Sequence, residues 1–249
     1  MEMAYDKNAT YVLQKIVLLF PVIHRIYLNE IILNNFKDLC IDSNGICLIK
    51  NFIKTNTLLN NKKRINNEIV KNFLILAENP FGNYGIQYLI ENWNKNELND
   101  IKLKIIESLY QLSIQQYSSN VVEKAIEIFD DETREIIIKK IFFNDNFIIL
   151  LKKKFGRFVL QKAISYMEMN LKKNLEIFLM NNINNNIYSH KDKNKVKKFL
   201  MKIKNNYYQN NNYNFNFNKK FLVRNNLGNI CNYNNNDITN IEKNNKFEI

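Results

Sequence analysis

The chain has 249 residues, 46% of them hydrophobic, with 5 Gly and 2 Pro, so it can bury a sizeable core yet lacks the turn punctuation of an all-β fold. Its formal net charge of +12 points to a polyanionic partner, nucleic acid first and an anionic membrane surface second, beside the plainer reading of a solubilising Lys and Asn bias. No run of 18 or more apolar residues and no basic-then-apolar leader is visible, and three scattered cysteines with two histidines fit neither a disulfide framework nor a zinc site. The expectation is a helical, intracellular protein with reduced thiols, no metal and no cofactor.

In chain order, one short segment occurs five times, at residues 9–15, 45–51, 82–88, 118–124 and 156–162. Its second residues fall at 10, 46, 83, 119 and 157, a spacing of about 36 to 38, the size of one unit in a helical solenoid. Numbered from that second residue as place one, places three and four are mostly aliphatic, as in Val12 and Leu13 or Val121 and Val122. Apolar residues return at places seven and eight: Ile16 and Val17, Phe52 and Ile53, Leu89 and Ile90, Ala125 and Ile126, Ala163 and Ile164. This is the buried stripe of an α-helix. Places one and five stand one turn apart on a common face, with place two about 100° further round, so three side chains per helix are expected to point out of the stack.

Amphipathic stretches separate the copies, at Leu28 to Leu39, Ile65 to Leu76, Leu98 to Ser113 and Glu132 to Phe142. Each unit therefore holds at least two helices, whose apolar faces are buried only by stacking on neighbours, and such an array curves to leave one concave surface. Leu171 to Met180 and Lys193 to Ile203 read as two more helices, the second lysine-rich as suits a terminal cap. From about Asn205 the composition turns to Asn with scattered Tyr and Phe, which predicts a repeat domain over 1–205 and a disordered tail over 206–249. The basic excess lies late, in Lys152, Lys153, Lys154, Arg157, Lys162, Lys172, Lys173 and the lysines from 191 to 204.

The segments FGNYGIQYLIE, YSSNVVEKAIE and FGRFVLQKAIS resemble, in that order, the last three repeats of the Pumilio (PUF) family, and KNATYVLQKIV and SNGICLIKNFI resemble the two before them. The copy with Ser119, Asn120 and Glu123 is the most specific match, to the family's penultimate repeat. The resemblance implies an all-α, curved, right-handed α-solenoid with three helices per repeat. It also implies single-stranded RNA bound antiparallel on the concave face, in the 3′ untranslated region of messenger RNAs, with translational repression or decay through recruited repressors or deadenylases. A cytoplasmic location goes with that reading. A nucleolar relative with little base selectivity, or a helical scaffold binding a peptide, is the alternative. A whole family domain has eight repeats, and five are seen here.

A base presents an edge for hydrogen bonds and a face for stacking, which places one, five and two can serve. Asn83 and Gln87 with stacking Tyr84 would, by the resemblance, read uracil. Glu123 accepts from the N1–H and N2 amino group of guanine, assisted by Ser119, with Asn120 stacking; a carboxylate finds no such donors on the acceptor edges of other bases. Gln161 with stacking Phe158 points to uracil, although Arg157 stands where the family has Asn and suits a phosphate instead. Read antiparallel, copies five, four and three give UGU. Thr10, Gln14 and Tyr11 form a further reader, whereas Ile46, Cys47 and Lys50 discriminate poorly. There is no Gly-rich phosphate loop and no catalytic cluster; His24 and His190 read as surface or packing residues, and Cys40 and Cys47 as core.

Overall fold

The structure is a computed structural model that describes residues 2–217 apart from 57, 145 and 186, together with 222–224 and 230–232; side chains are described through residue 204. Within the unit Met1–Val196, helices follow one another in five like triplets, each a short helix, a reader helix carrying the recurring segment, and an outer helix. The first triplet is α1 (Glu2–Tyr5), α2 (Ala9–Leu19) and α3 (Ile26–Asn34). The second is α4 (Phe36–Cys40), α5 (Gly45–Thr55) and α6 (Leu59–Lys71), and the third α7 (Phe73–Glu78), α8 (Gly82–Asn92) and α9 (Asn99–Glu107). The fourth is α10 (Leu109–Ile114), α11 (Ser118–Ile128) and α12 (Asp131–Phe142), and the fifth α13 (Phe147–Lys152), α14 (Lys154–Tyr166) and α15 (Met169–Asn184). The fold is an α-solenoid of stacked repeats.

Three amphipathic stretches that read as continuous are each broken in two by a single residue, Asn35, Asn72 or Ser108. The cause is local at both asparagines. The Asn35 side-chain amide donates to Ile31 O at 2.8 Å and that of Asn72 to Glu68 O at 2.9 Å, occupying carbonyls at the helix end while the backbone leaves the helical region.

Reader helices stack in series, α2 on α5, α5 on α8, α8 on α11 and α11 on α14, with each later short helix packed on its own reader helix. Places four and eight are buried in copies two to five, as are places three and seven. Each fully buried aliphatic side chain there stabilises the stack by about 1.5–3 kcal/mol. Copy one differs: Val12 is 52% exposed where Leu48, Val121 and Val159 are fully covered, because no described reader helix packs ahead of α2.

Helix α16 (His190–Phe217) follows, and a second unit, Lys197–Ile249, begins within it. Its Phe199, Leu200 and Ile203 are buried while Lys197, Lys198, Lys202 and Lys204 are exposed, the one-sided pattern read from the sequence. An antiparallel pair, β1 (Leu222–Arg224) and β2 (Ile230–Asn232), aligns Val223 with Cys231. The expected tail thus falls on the end of α16, on this strand pair and otherwise outside the described residues. No described helix is long and apolar enough to cross a membrane.

Candidate nucleic-acid interface

The recurring segment begins at the first turn of each reader helix, and in copies one to three one side chain sets that start. Asp6 accepts from the backbone N–H groups of Asn8 and Ala9 at 2.9 and 2.7 Å, Asp42 from those of Asn44 and Gly45 at 2.9 and 2.8 Å, and Asn79 from those of Phe81 and Gly82 at 2.8 and 2.9 Å. These satisfy donors that a helix start otherwise leaves open. The signal, an Asx three residues before the segment, is present in the sequence and was not part of the pattern above.

With the starts fixed, the reading places differ in exposure. Place two faces outward in every copy: the aromatic residues Tyr11, Tyr84 and Phe158 are 46–62% exposed, and Cys47 and Asn120 are exposed too. Cys47 is therefore not a core residue, whereas Cys40 is fully buried and its thiol pKa is pushed up by that burial. Place five is partly exposed in Gln14, Lys50, Gln87 and Glu123, and exposed in Gln161.

Place one does not point out of the stack in four copies. Thr10, Ile46, Asn83 and Ser119 are at most 5% exposed, because the first turn of the reader helix lies against the short helix before it; only Arg157 is exposed. Asn83 donates to the carbonyls of Asn79 and Pro80 at 2.8 and 3.0 Å, and its oxygen accepts from the Gln87 amide at 2.7 Å. The Ser119 hydroxyl donates to Gln116 O at 3.3 Å, and the buried Thr10 hydroxyl has no described partner.

Tyr84, Gln87, Asn120 and Glu123 come together along one open depression of about 330 Å³, with Lys124, Glu127 and Lys162 completing its wall. Place-two and place-five side chains of copies three and four thus line one surface, an edge group and a flat group from each. The copy-five set, Arg157, Phe158 and Gln161, stands on the next stacked helix, and Thr10, Tyr11 and Gln14 two reader helices to the other side of copy three. No described residue donates to the Glu123 carboxylate; burial raises its pKa, and the charge of Lys162 opposes the rise. In copy two, the Lys50 ammonium sits 5.4 Å from the centroid of the Tyr88 ring, turned to the neighbouring repeat.

Part of the basic excess serves packing. Lys162 pairs with Glu127 at 2.8 Å, Lys152 with Asp192 at 2.9 Å, and Lys172 is buried. A second set of cations joins repeats: Lys62 reaches both oxygens of Glu97 at 2.9 Å and Lys102 reaches Asp130 at 2.6 Å, each beside the Trp93 or Phe129 ring. His24 and His190 are exposed, and no described group of three or more His, Cys, Asp or Glu is placed to hold a metal ion.

The model of the Pumilio-family RNA binding repeat matches residues 1–32, 72–106 and 108–142, which hold copies one, three and four. The chain carries Pumilio-family repeats. Copies two and five lie outside those matches, and their reading residues Ile46, Lys50 and Arg157 depart most from the pattern of the other copies. Pumilio homolog 12 of Arabidopsis thaliana is 30% identical over 149 residues, 58% of this chain and 24% of its own. Putative pumilio homolog 13 of the same plant is 25% identical over 185 residues, 74% of this chain and 34% of its own. The chain spans a quarter to a third of these relatives. Among solved structures, PUF-8 in complex with PBE-RNA shares the fold at TM-score 0.68 and 20% identity, over 81% of this chain and 60% of that one. The Puf4 RNA binding domain bound to an HO endonuclease RNA 3′ UTR recognition sequence does so at TM-score 0.68 and 16% identity, over 80% and 62%.

Proposed function

We propose that the reader-helix face binds single-stranded RNA with a UGU core, Gln161 and Phe158 taking the first uracil, Glu123 and Asn120 the guanine, and Gln87 and Tyr84 the second uracil. The observation that carries this reading is the shared depression, where edge-reading and stacking groups of successive repeats stand side by side and the one carboxylate among the readers has no described donor. Unstacked bases need that combination, a polar group for the edge and a flat group for the face. The RNA named with the structural neighbours lends support.

Asn83 and Ser119 act from behind the surface, Asn83 by fixing the Gln87 amide that faces the base. Copy two contributes no base reading, since Ile46 is buried and Lys50 leans on Tyr88. Arg157 is exposed and suited to a phosphate. On this reading the protein is a post-transcriptional regulator acting on 3′ untranslated regions in the cytoplasm, with recruited repressor or deadenylase proteins supplying the effect.

The test compares binding of a short UGUA-containing RNA with the same RNA carrying cytosine for guanine, at physiological salt. A wrong base costs about 1–3 kcal/mol, so a preference of roughly five- to 150-fold is expected. Equal binding of the two would replace this reading with non-selective RNA binding, and binding of neither would favour a protein-binding scaffold.

A further inference from the structure

We propose that Glu127 is a positioning residue for guanine readout: by holding the Lys162 ammonium it leaves Glu123, one helical turn away, free to accept from the base. The inference rests on the proposed guanine assignment and adds to it the group that keeps the reader vacant.

Glu123 and Glu127 are four residues apart on α11, hence neighbours on one face, and both border the same depression as Lys162 of the next repeat. Lys162 Nζ lies 2.8 Å from a Glu127 oxygen and 5.3 Å from the centroid of the Tyr166 ring, so the ammonium is held at two points. Glu127 is also 3.8 Å from Lys124, which is 2.5 Å from Glu91 in the third repeat. The chain Glu91, Lys124, Glu127, Lys162 crosses three repeats, and Glu123 stands outside it.

The vacancy matters because an ammonium and a guanine edge use the same lone pairs. Lysine brings three donors, guanine brings N1–H and the N2 amino group, and a carboxylate already filled by the first has less to offer the second. Of the two carboxylates on this face, Glu127 is the one within ion-pair distance of Lys162, and its pairing decides which one the lysine fills. One copy earlier the same arrangement, Glu91 with Lys124, stands beside the neutral reader Gln87, where no charged acceptor is at stake. The pair is partly exposed and contributes little to stability, so its loss is expected to change recognition far more than folding.

The experiment measures affinity for UGUA and UAUA RNAs with the whole chain and with E127Q, E127Q/K162M and E123Q, recording the melting temperature of each. Adenine lacks the N1–H that Glu123 is to accept. E127Q is expected to lower the guanine-over-adenine preference roughly tenfold, within the range of one mispaired base. E127Q/K162M is expected to restore it, since the competing ammonium is gone. An unchanged preference in E127Q, or a loss that the second substitution does not restore, overturns the positioning role. If instead E123Q keeps the wild-type preference, or the wild type has none, it is the guanine assignment that fails.

Discussion

The Gln87 side-chain amide donates to Asn83 Oδ1 at 2.7 Å, and Asn83 spends both its N–H groups on the carbonyls of Asn79 and Pro80. The backbone thus orients Asn83, and Asn83 orients Gln87, leaving the Gln87 oxygen and its second N–H for a base edge. An Asn83→Asp change keeps the shape but turns an acceptor-only group toward two carbonyls. It is expected to cost about 1–3 kcal/mol in urea unfolding and to weaken the uracil preference opposite copy three. A variant as stable and selective as wild type would remove Asn83 from this chain of orientation.

Guanine reading by Glu123 carries a pH signature. Burial raises its carboxyl pKa in the free protein, and donors from guanine favour the ionised form, so a proton and the base compete for it. Guanine preference is expected to fall as the solution is acidified from neutrality toward the raised value, with E123Q flat over the same titration. Stability runs the other way. A raised carboxyl pKa means the ionised side chain opposes folding above that pKa, and the penalty is relieved on acidification, so E123Q should unfold at neutral pH no more easily than wild type. A wild-type preference independent of pH would contradict the role of the carboxylate.

The period of the repeat, the buried stripe and the outward place two were legible because helical spacing follows from residue order alone. Place one was misjudged because its burial is set by another element: Thr10, Asn83 and Ser119 sit under the preceding short helix, which their own helix does not reveal. The clean breaks at Asn35 and Asn72 depend on side-chain bonds to their own backbone, so the stretches around them read as single helices. The ion pairs between repeats join residues some 28 to 35 apart and show only once the stack is assembled, which is why Lys162 read as surplus charge rather than as part of a wall.

Asp130 closes one such contact. It accepts from the Thr133 backbone N–H at 2.8 Å and hydroxyl at 2.7 Å as the N-cap of α12, and from Lys102 of the third repeat at 2.6 Å. Burial alone would raise its pKa, but these donors together hold it well below the usual carboxylate range. Asp130→Ala is expected to cost about 1–2 kcal/mol from the cap. A depressed pKa gives stability that is present above the unfolded value near 3.9 and lost as pH falls through the native one. The stability gap between wild type and Asp130→Asn should therefore hold at neutral pH and narrow below about pH 4. A gap that widened on acidification would refute the assignment.

The residue that opens each reading segment is small for a reason that can be tested in place. A Cβ at Gly82 would lie 2.7 Å from Leu76 O, and at Gly45 and Gly156 it would meet the equivalent carbonyls of Leu39 and Leu150 at 2.5 and 2.4 Å. These are backbone atoms at the end of the short helix, which cannot give way without shifting the reader helix that carries place one. Copy four solves the approach differently: Ser118 stands there, and its hydroxyl donates to the matching carbonyl of Leu112 at 2.9 Å. Gly82→Ala is therefore expected to destabilise by about 1–3 kcal/mol, as overpacking does, and to disturb the Asn83 and Gln87 pair directly above it. Gly82→Ser adds the same carbon but supplies a donor for the carbonyl, so its melting temperature should lie between those of the wild type and Gly82→Ala. If serine proved the worse of the two, the carbonyl of Leu76 would not be what selects glycine at this place.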